Sequence, residues 1–214
     1  MKSFRFYDYI TIISPNGQRA SNLREFLNIL EESEDNVLFH HLFQSQLKHH
    51  SKAWDYTNDF ANWASDSLED FALAEKLGNF DPYDFSTIAE AKDRLVEIIE
   101  EHMWDLPNIP WVRPGFEFYF SYSTSIIIPS GINVNNLREF KDSLKVINNN
   151  SFYYHFCESR KIKKEKMHDD FTIWVEENFE KPVLVEKIRN IDFYFYSLDE
   201  NREKIIKLLN EELQ

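Results

Sequence analysis

At 214 residues, with 43% hydrophobic and 16% aromatic content, the chain has enough apolar material for one large domain or two small ones. Its net charge of −13 at pH 7 sets an average field that repels a polyanion, which argues against nucleic acid as a partner. The single cysteine, Cys157, excludes an intramolecular disulfide and any multi-cysteine zinc or iron–sulfur site.

The longest purely aliphatic stretch, Ile126-Ile127-Ile128, is far shorter than the ~20 residues a spanning helix needs, so no membrane partner is expected. Charges at Lys2, Arg5 and Asp8 interrupt any apolar run at the N-terminus. No signal peptide is read there, and the expected location is the cytoplasm.

The first predicted element is a strand. Phe4, Phe6, Asp8, Ile10 and Ile12 alternate with Arg5, Tyr7, Tyr9, Thr11 and Ile13, a period of two rich in aromatic and β-branched residues. Pro15-Asn16-Gly17 carries turn chemistry and is expected to end it. Leu23, Phe26, Leu27 and Leu30 then fall at the spacing of one buried helical face, with Ser21 as the predicted N-cap. The aromatic run Val37 to Phe43 reads as a short second strand. Helical patterns follow at Asp59 to Ala64, Leu68 to Leu77 and Ile88 to Met103, the last with Ser86 as its cap. The segment from Asp105 to Gly115 holds Pro107, Pro110 and Pro114 and reads as a stiff linker.

Beyond the linker the chain repeats itself. Asn22-Leu23-Arg24-Glu25-Phe26 recurs letter for letter as Asn136-Leu137-Arg138-Glu139-Phe140, at an offset of 136 − 22 = 114. On that register Phe4 meets Phe118, Phe6 meets Phe120, Gly17 meets Gly131 and His41 meets His155. The offset then slips to 174 − 63 = 111, so that Asp59-Phe60 meets Asp170-Phe171 and Trp63 meets Trp174. The second copy therefore predicts a strand ending at Pro129-Ser130-Gly131 and a helix from Leu137 capped by Asn135. A strand over Ser151 to Cys157 follows, then helices at Asp170 to Val175, Val183 to Ile188 and Leu198 to Leu213, the last capped by Ser197.

A long internal repeat sets the architecture. The expected fold class is α/β, with α+β as the alternative: two pseudo-symmetric β-α-β-α-α-α repeats, residues 1–106 and 107–214. One helix between two strands is most simply a parallel crossover. Two strands alone make a poor sheet, so the copies are expected to share a four-stranded sheet covered by helices, about a pseudo-twofold.

The order of these elements, an aromatic strand, a Gly turn, a Leu-Arg-Glu helix, an aromatic-His strand and an Asp-Phe-x-x-Trp helix, resembles an uncharacterised prokaryotic family of unknown function built from the same tandem repeat. The resemblance covers nearly the whole chain and implies no established activity. The first copy departs from the second in reading His40-His41 where the second reads Tyr154-His155.

The candidate site residues are the repeated polar and aromatic positions. His41 with Asp59, and His155 with Asp170, could each form an oriented general base. The structural alternative is a buried imidazole bonded to a carboxylate or carbonyl. Arg24 and Arg138 sit one turn into their helices, where a ligand clamp competes with pairing to an Asp or capping a neighbouring helix. Trp63 and Trp174 share a helix face with Asp59 and Asp170 and offer either core packing or a stacking platform. His40, His49 and His50 are imidazoles of the first copy alone, and no metal site is assigned to them. The basic cluster Arg160, Lys161, Lys163, Lys164 and Lys166 reads as a solvated loop, with anion or protein docking as the lesser reading.

With only four glycines there is no Gly-rich phosphate loop, and neither G-x-S-x-G nor H-E-x-x-H appears. No cofactor is expected. These absences favour a non-enzymatic module that binds a protein or small ligand in the groove between the repeats. The alternative is an enzyme with a composite His/Asp/Arg site between them.

Overall fold

The computed structural model describes residues 2–48, 56–162 and 168–213. The fold is mixed α/β, with a two-stranded antiparallel sheet of β1 (Phe4–Ala20) and β2 (Phe118–Val134). Among the described residues one antiparallel pair stands in place of the expected four-stranded sheet with parallel crossovers. No described helix is long and apolar enough to cross a membrane.

The chain divides into two compact units, one of residues 12–124 and one of residues 1–11 with 125–214. The divisions fall inside the two strands rather than in the Pro-rich segment, so each unit takes part of both strands. Both strands also run on through their expected turns. Gly17 and Gly131 adopt φ of +85° and +82° inside them, a left-handed conformation that suits glycine. The Asn16 side chain accepts from the Gln18 N–H at the first of these kinks.

The 12–124 unit contains α1 (Leu23–Glu32), α2 (Asp35–Phe43), α3 (Asp59–Asp66), α4 (Phe71–Gly78) and α5 (Ile88–Trp104). The Asn-Leu-Arg-Glu motif is a helix start. Asn22 caps α1 by accepting from the Glu25 N–H, and the Glu25 carboxylate reaches back to the Ser21 N–H. The cap is therefore Asn22 and not Ser21, and Thr87 rather than Ser86 caps α5. Leu23, Phe26, Leu27 and Leu30 of α1 are buried with Phe60 of α3 and with Phe118 and Phe120 of β2. In the Pro-rich segment, Val112 donates to the Ser21 carbonyl and Leu23 donates to that of Pro110, around an antiparallel bridge between Asn22 and Trp111.

The other unit contains α6 (Leu137–Leu144), α7 (Asn149–Tyr153), a π-helical turn (Tyr154–Glu158), α8 (Ser159–Ile162), α9 (Asp170–Asn178), α10 (Pro182–Arg189) and α11 (Leu198–Glu212). Asn136, not Asn135, caps α6, whereas Ser197 caps α11 in a full capping box with Glu200. Phe4 and Phe6 pack here against Phe140, Phe171 and, for Phe4, Trp174, with ring centroids 5.2 Å apart between Phe140 and Trp174.

The two segments expected as second strands are helical. Val37 to Phe43 lies in α2, and Ser151 to Cys157 runs through α7 and the π-helical turn. Both runs are rich in aromatics and buried almost throughout, which is where period alone cannot separate a strand from a helix.

Candidate functional site

His41 is carried by α2 and His155 by the π-helical turn, so neither ends a strand. Each imidazole bonds the Asp expected of it. His41 Nδ1 lies 2.7 Å from Asp59 Oδ2, and His155 Nδ1 lies 2.9 Å from Asp170 Oδ2. Both aspartates occupy the first turn of a helix, where the N-terminal dipole favours a carboxylate. Asn58 caps the one helix, accepting from the Ala61 N–H, and Asp169 caps the other, accepting from the Thr172 N–H.

The second nitrogen of each ring is also engaged. His41 Nε2 accepts from the Ser121 backbone N–H at 3.0 Å, and His155 Nε2 accepts from the Tyr7 N–H at 2.9 Å. A ring that accepts at Nε2 and faces a carboxylate at Nδ1 carries its proton on Nδ1. Each histidine thereby ties a strand to a helix. The tryptophans add a second tie, two residues ahead of the start of each strand. Trp63 Nε1 donates to the Phe116 carbonyl at 3.0 Å, and Trp174 Nε1 donates to that of Lys2 at 2.7 Å.

A third tie had no sequence-level expectation. Tyr9 Oη donates to Glu158 Oε2 at 2.5 Å and lies 2.6 Å from Ser125 Oγ. In the 12–124 unit Ser123 Oγ donates to Gln44 Oε1, which also faces His40 Nδ1 at 3.2 Å. Glu158 and Gln44 each follow their histidine by three residues, which places them on the same helix face. That spacing is the signal that would have found them.

Arg24 is exposed at the start of α1, and Arg138 is exposed at the start of α6. Neither guanidinium reaches its unit's His–Asp pair. Arg138 instead borders a shallow depression with Lys141, Asp142, Asn210 and Leu213. Arg160, expected in a solvated loop, is buried. It donates to Asp169 at 2.9 Å and lies over the rings of Phe156 and Phe193. Lys163, Lys164 and Lys166 lie outside the described residues, as do His49 and His50.

His40, His41 and Asp59 bring one ligand atom each to within 4.8 Å of one another. The tautomer of His41 removes it from that set, because its one lone pair is taken by Ser121. One imidazole and one carboxylate remain of the three. Zinc sites draw on three or four protein ligands. Two other reactive groups are equally subdued. Burial pushes the Cys157 thiol far above its ordinary range, and burial, with help from Asp170 and Glu158, raises the Tyr154 hydroxyl.

A cleft of about 350 Å³ opens beside the His41–Asp59 pair. Its walls include His40, His41, Asp59, Trp63, Asp66, Phe118 and Tyr119. Asp59 is 15% exposed at its side chain, Tyr119 is 53% exposed, and Asp66 is exposed at the end of α3.

One solved structure, described as the structure of OrfY from Thermoproteus tenax, shares this fold. It aligns at a TM-score of 0.74 and 24% identity over 98% of this chain and 95% of that one. A search of curated proteins finds no match. A family model described as a family of unknown function, DUF5752, matches residues 1–210, and the chain belongs to that family.

Proposed function

We propose that the chain is a non-enzymatic binding module in which the repeated histidine, aspartate and tryptophan residues hold strands to helices and do not move protons. The observation that carries this reading is the engagement of both nitrogens of His41 and of His155. A general base needs a lone pair turned toward a substrate, and here each Nε2 lone pair is directed at a backbone N–H. Cys157 and Tyr154, held protonated by burial, supply no alternative nucleophile or base. The ligand class is a protein or a small molecule, and the open cleft of the 12–124 unit is the surface we assign to it.

We further read the two copies as a duplicated repeat working in the cytoplasm. Support comes from the recurrence of the contacts. Ser121 and Tyr7 stand 121 − 7 = 114 apart, and so do His155 and His41 and Phe116 and Lys2. The acidic balance and single cysteine are in keeping with that compartment.

The test is the tautomer. Long-range ¹H–¹⁵N correlation spectra of the imidazoles should give His41 and His155 a protonated Nδ1 and an unprotonated Nε2. A proton found on Nε2 in either ring would free the Nδ1 side for chemistry and defeat the clamp reading.

A further inference from the structure

We propose that the cleft of the 12–124 unit receives an alkyl-ammonium or alkyl-guanidinium head, the group that ends a lysine or arginine side chain. The proposal rests on the binding-module reading and names its ligand chemistry. Two carboxylates, Asp59 and Asp66, and the aromatic rings of Trp63 and Tyr119 border one cleft of about 350 Å³. Carboxylates and π faces both attract a cation, and an aliphatic stem is accommodated along the apolar part of the wall while its charged end meets the acids. Asp66 has no ion-pair partner among the described residues. The chain's charge of −13 draws a positive group toward it.

The other unit supplies an independent comparison. Tyr119 stands two residues before the clamped Ser121, and Arg5 stands two residues before the clamped Tyr7. Residues two apart on a strand share a face, so Arg5 and Tyr119 hold the same place relative to their clamps. The acids also correspond. Asp59 and Asp170 bond the histidines, and Asp66 and Glu177 each follow their tryptophan by three residues. One unit therefore has an exposed guanidinium of the chain itself on the strand face where the other has a tyrosine beside an open cleft.

The experiment is a titration of the ¹⁵N-labelled full chain with N-acetyl-arginine amide and N-acetyl-lysine amide. N-acetyl-norleucine amide serves as the uncharged control, and agmatine and cadaverine as free cations. The cationic probes should move the Trp63 indole N–H and the Ser121 amide, the norleucine probe should not, and added salt should weaken the effect. Asp66→Asn should weaken binding about fivefold, as the loss of one exposed charge pair does. Tyr119→Arg, which copies the other unit, should abolish it. Blocked amino acids binding more tightly than agmatine and cadaverine identify a side chain of a partner protein as the source. The reverse order identifies a free amine. The proposal is overturned by equal shifts with norleucine, by shifts elsewhere in the chain, or by no change in the two variants. Any of these results with the imidazole tautomers as expected would sink the cation site and leave the clamp reading standing.

Discussion

Ser121 gives its backbone N–H to His41, a residue 80 positions earlier in the chain, over 3.0 Å. The bond fixes the ring's tautomer, and the ring passes the constraint on to Asp59 at 2.7 Å. The same two bonds join Tyr7, His155 and Asp170 in the other unit. A strand with a free edge and few neighbours gains little from its own ladder, so side-chain ties to the helices carry much of its placement.

Replacing either histidine by phenylalanine should therefore be costly even though the ring volume is kept. His41→Phe leaves the Ser121 N–H and the Asp59 carboxylate without this partner, at about 1–3 kcal/mol for each buried group. Urea denaturation should show a loss of about 2–4 kcal/mol for either variant. Amide exchange should accelerate at Ser121 in one and at Tyr7 in the other. Wild-type protection at those two amides would remove the clamp from the account.

Trp63→Phe and Trp174→Phe test the second tie. Each loses one indole donor to a carbonyl just ahead of a strand, Phe116 or Lys2, and leaves a void beside Phe26 or Phe140. A cost of about 1–3 kcal/mol is expected from the bond and the void together. Heat and urea midpoints of the two variants, measured side by side, check it.

The buried pair Arg160–Asp169 makes a prediction with a pH sign. Burial pushes the Asp169 carboxyl above its ordinary value, against the pull of Arg160 and of the bonds from Thr172. A carboxyl raised in the folded state favours folding in its protonated form. That contribution is whole below the ordinary value and is lost as pH rises through the folded one. Arg160→Met removes the opposing attraction and leaves a buried charge, so it should cost about 3–5 kcal/mol at neutral pH. Part of that loss should return on acidification toward pH 5, a shift of about two units in buffer. Arg160→Met combined with Asp169→Asn should be more stable than Arg160→Met alone at pH 7. An equally unstable double variant would show that the cost lies in packing around Phe156 and Phe193.

The helix starts are worth smaller amounts. Asn22→Ala, Asn136→Ala and Ser197→Ala should each cost about 1 kcal/mol in denaturation experiments. Glu200 adds a pH dependence. Its carboxyl is held below its ordinary range by the Ser197 backbone and side chain. That contribution is present above the ordinary glutamate value and is lost as pH falls through the depressed one. Ser197→Ala keeps the backbone bond and loses the hydroxyl, so it should make this acid limb shallower without removing it, as a series of melting curves from neutral to acidic buffer would reveal.

Much of the candidate site was legible in the chain because repetition marks it. The pairing of His41 with Asp59 and of His155 with Asp170 was foreseen as one of two roles, and the geometry is that of the bonded imidazole. The sequence places the histidines on strands, because Val37 to Phe43 is buried almost throughout and such a helix carries no period to distinguish it. Arg24 and Arg138 stand in repeated letters, and that repetition reflects a capping motif in which Asn and Glu do the bonding and Arg faces water. Glu158, Gln44 and Tyr9 carry no repeated letters, because the corresponding positions of the two units hold different side chains.

By itself the sequence determined most of the helices, through apolar spacing and the Asp-Phe-x-x-Trp starts, and it determined the two aromatic strands through their period of two. It could not decide which helices each strand would join. The Phe4–Phe6 and Phe118–Phe120 segments carry the same pattern, and so do the helices that receive them, so local preference is equal for a strand packing on its own copy or on the other. In the folded chain Phe118 and Phe120 pack on Phe26 and Phe60, and Phe4 and Phe6 pack on Phe140 and Phe171. That is a tertiary choice: residues 1–11 of the chain belong to the unit of residues 125–214, and the start of β2 belongs to the unit of residues 12–124.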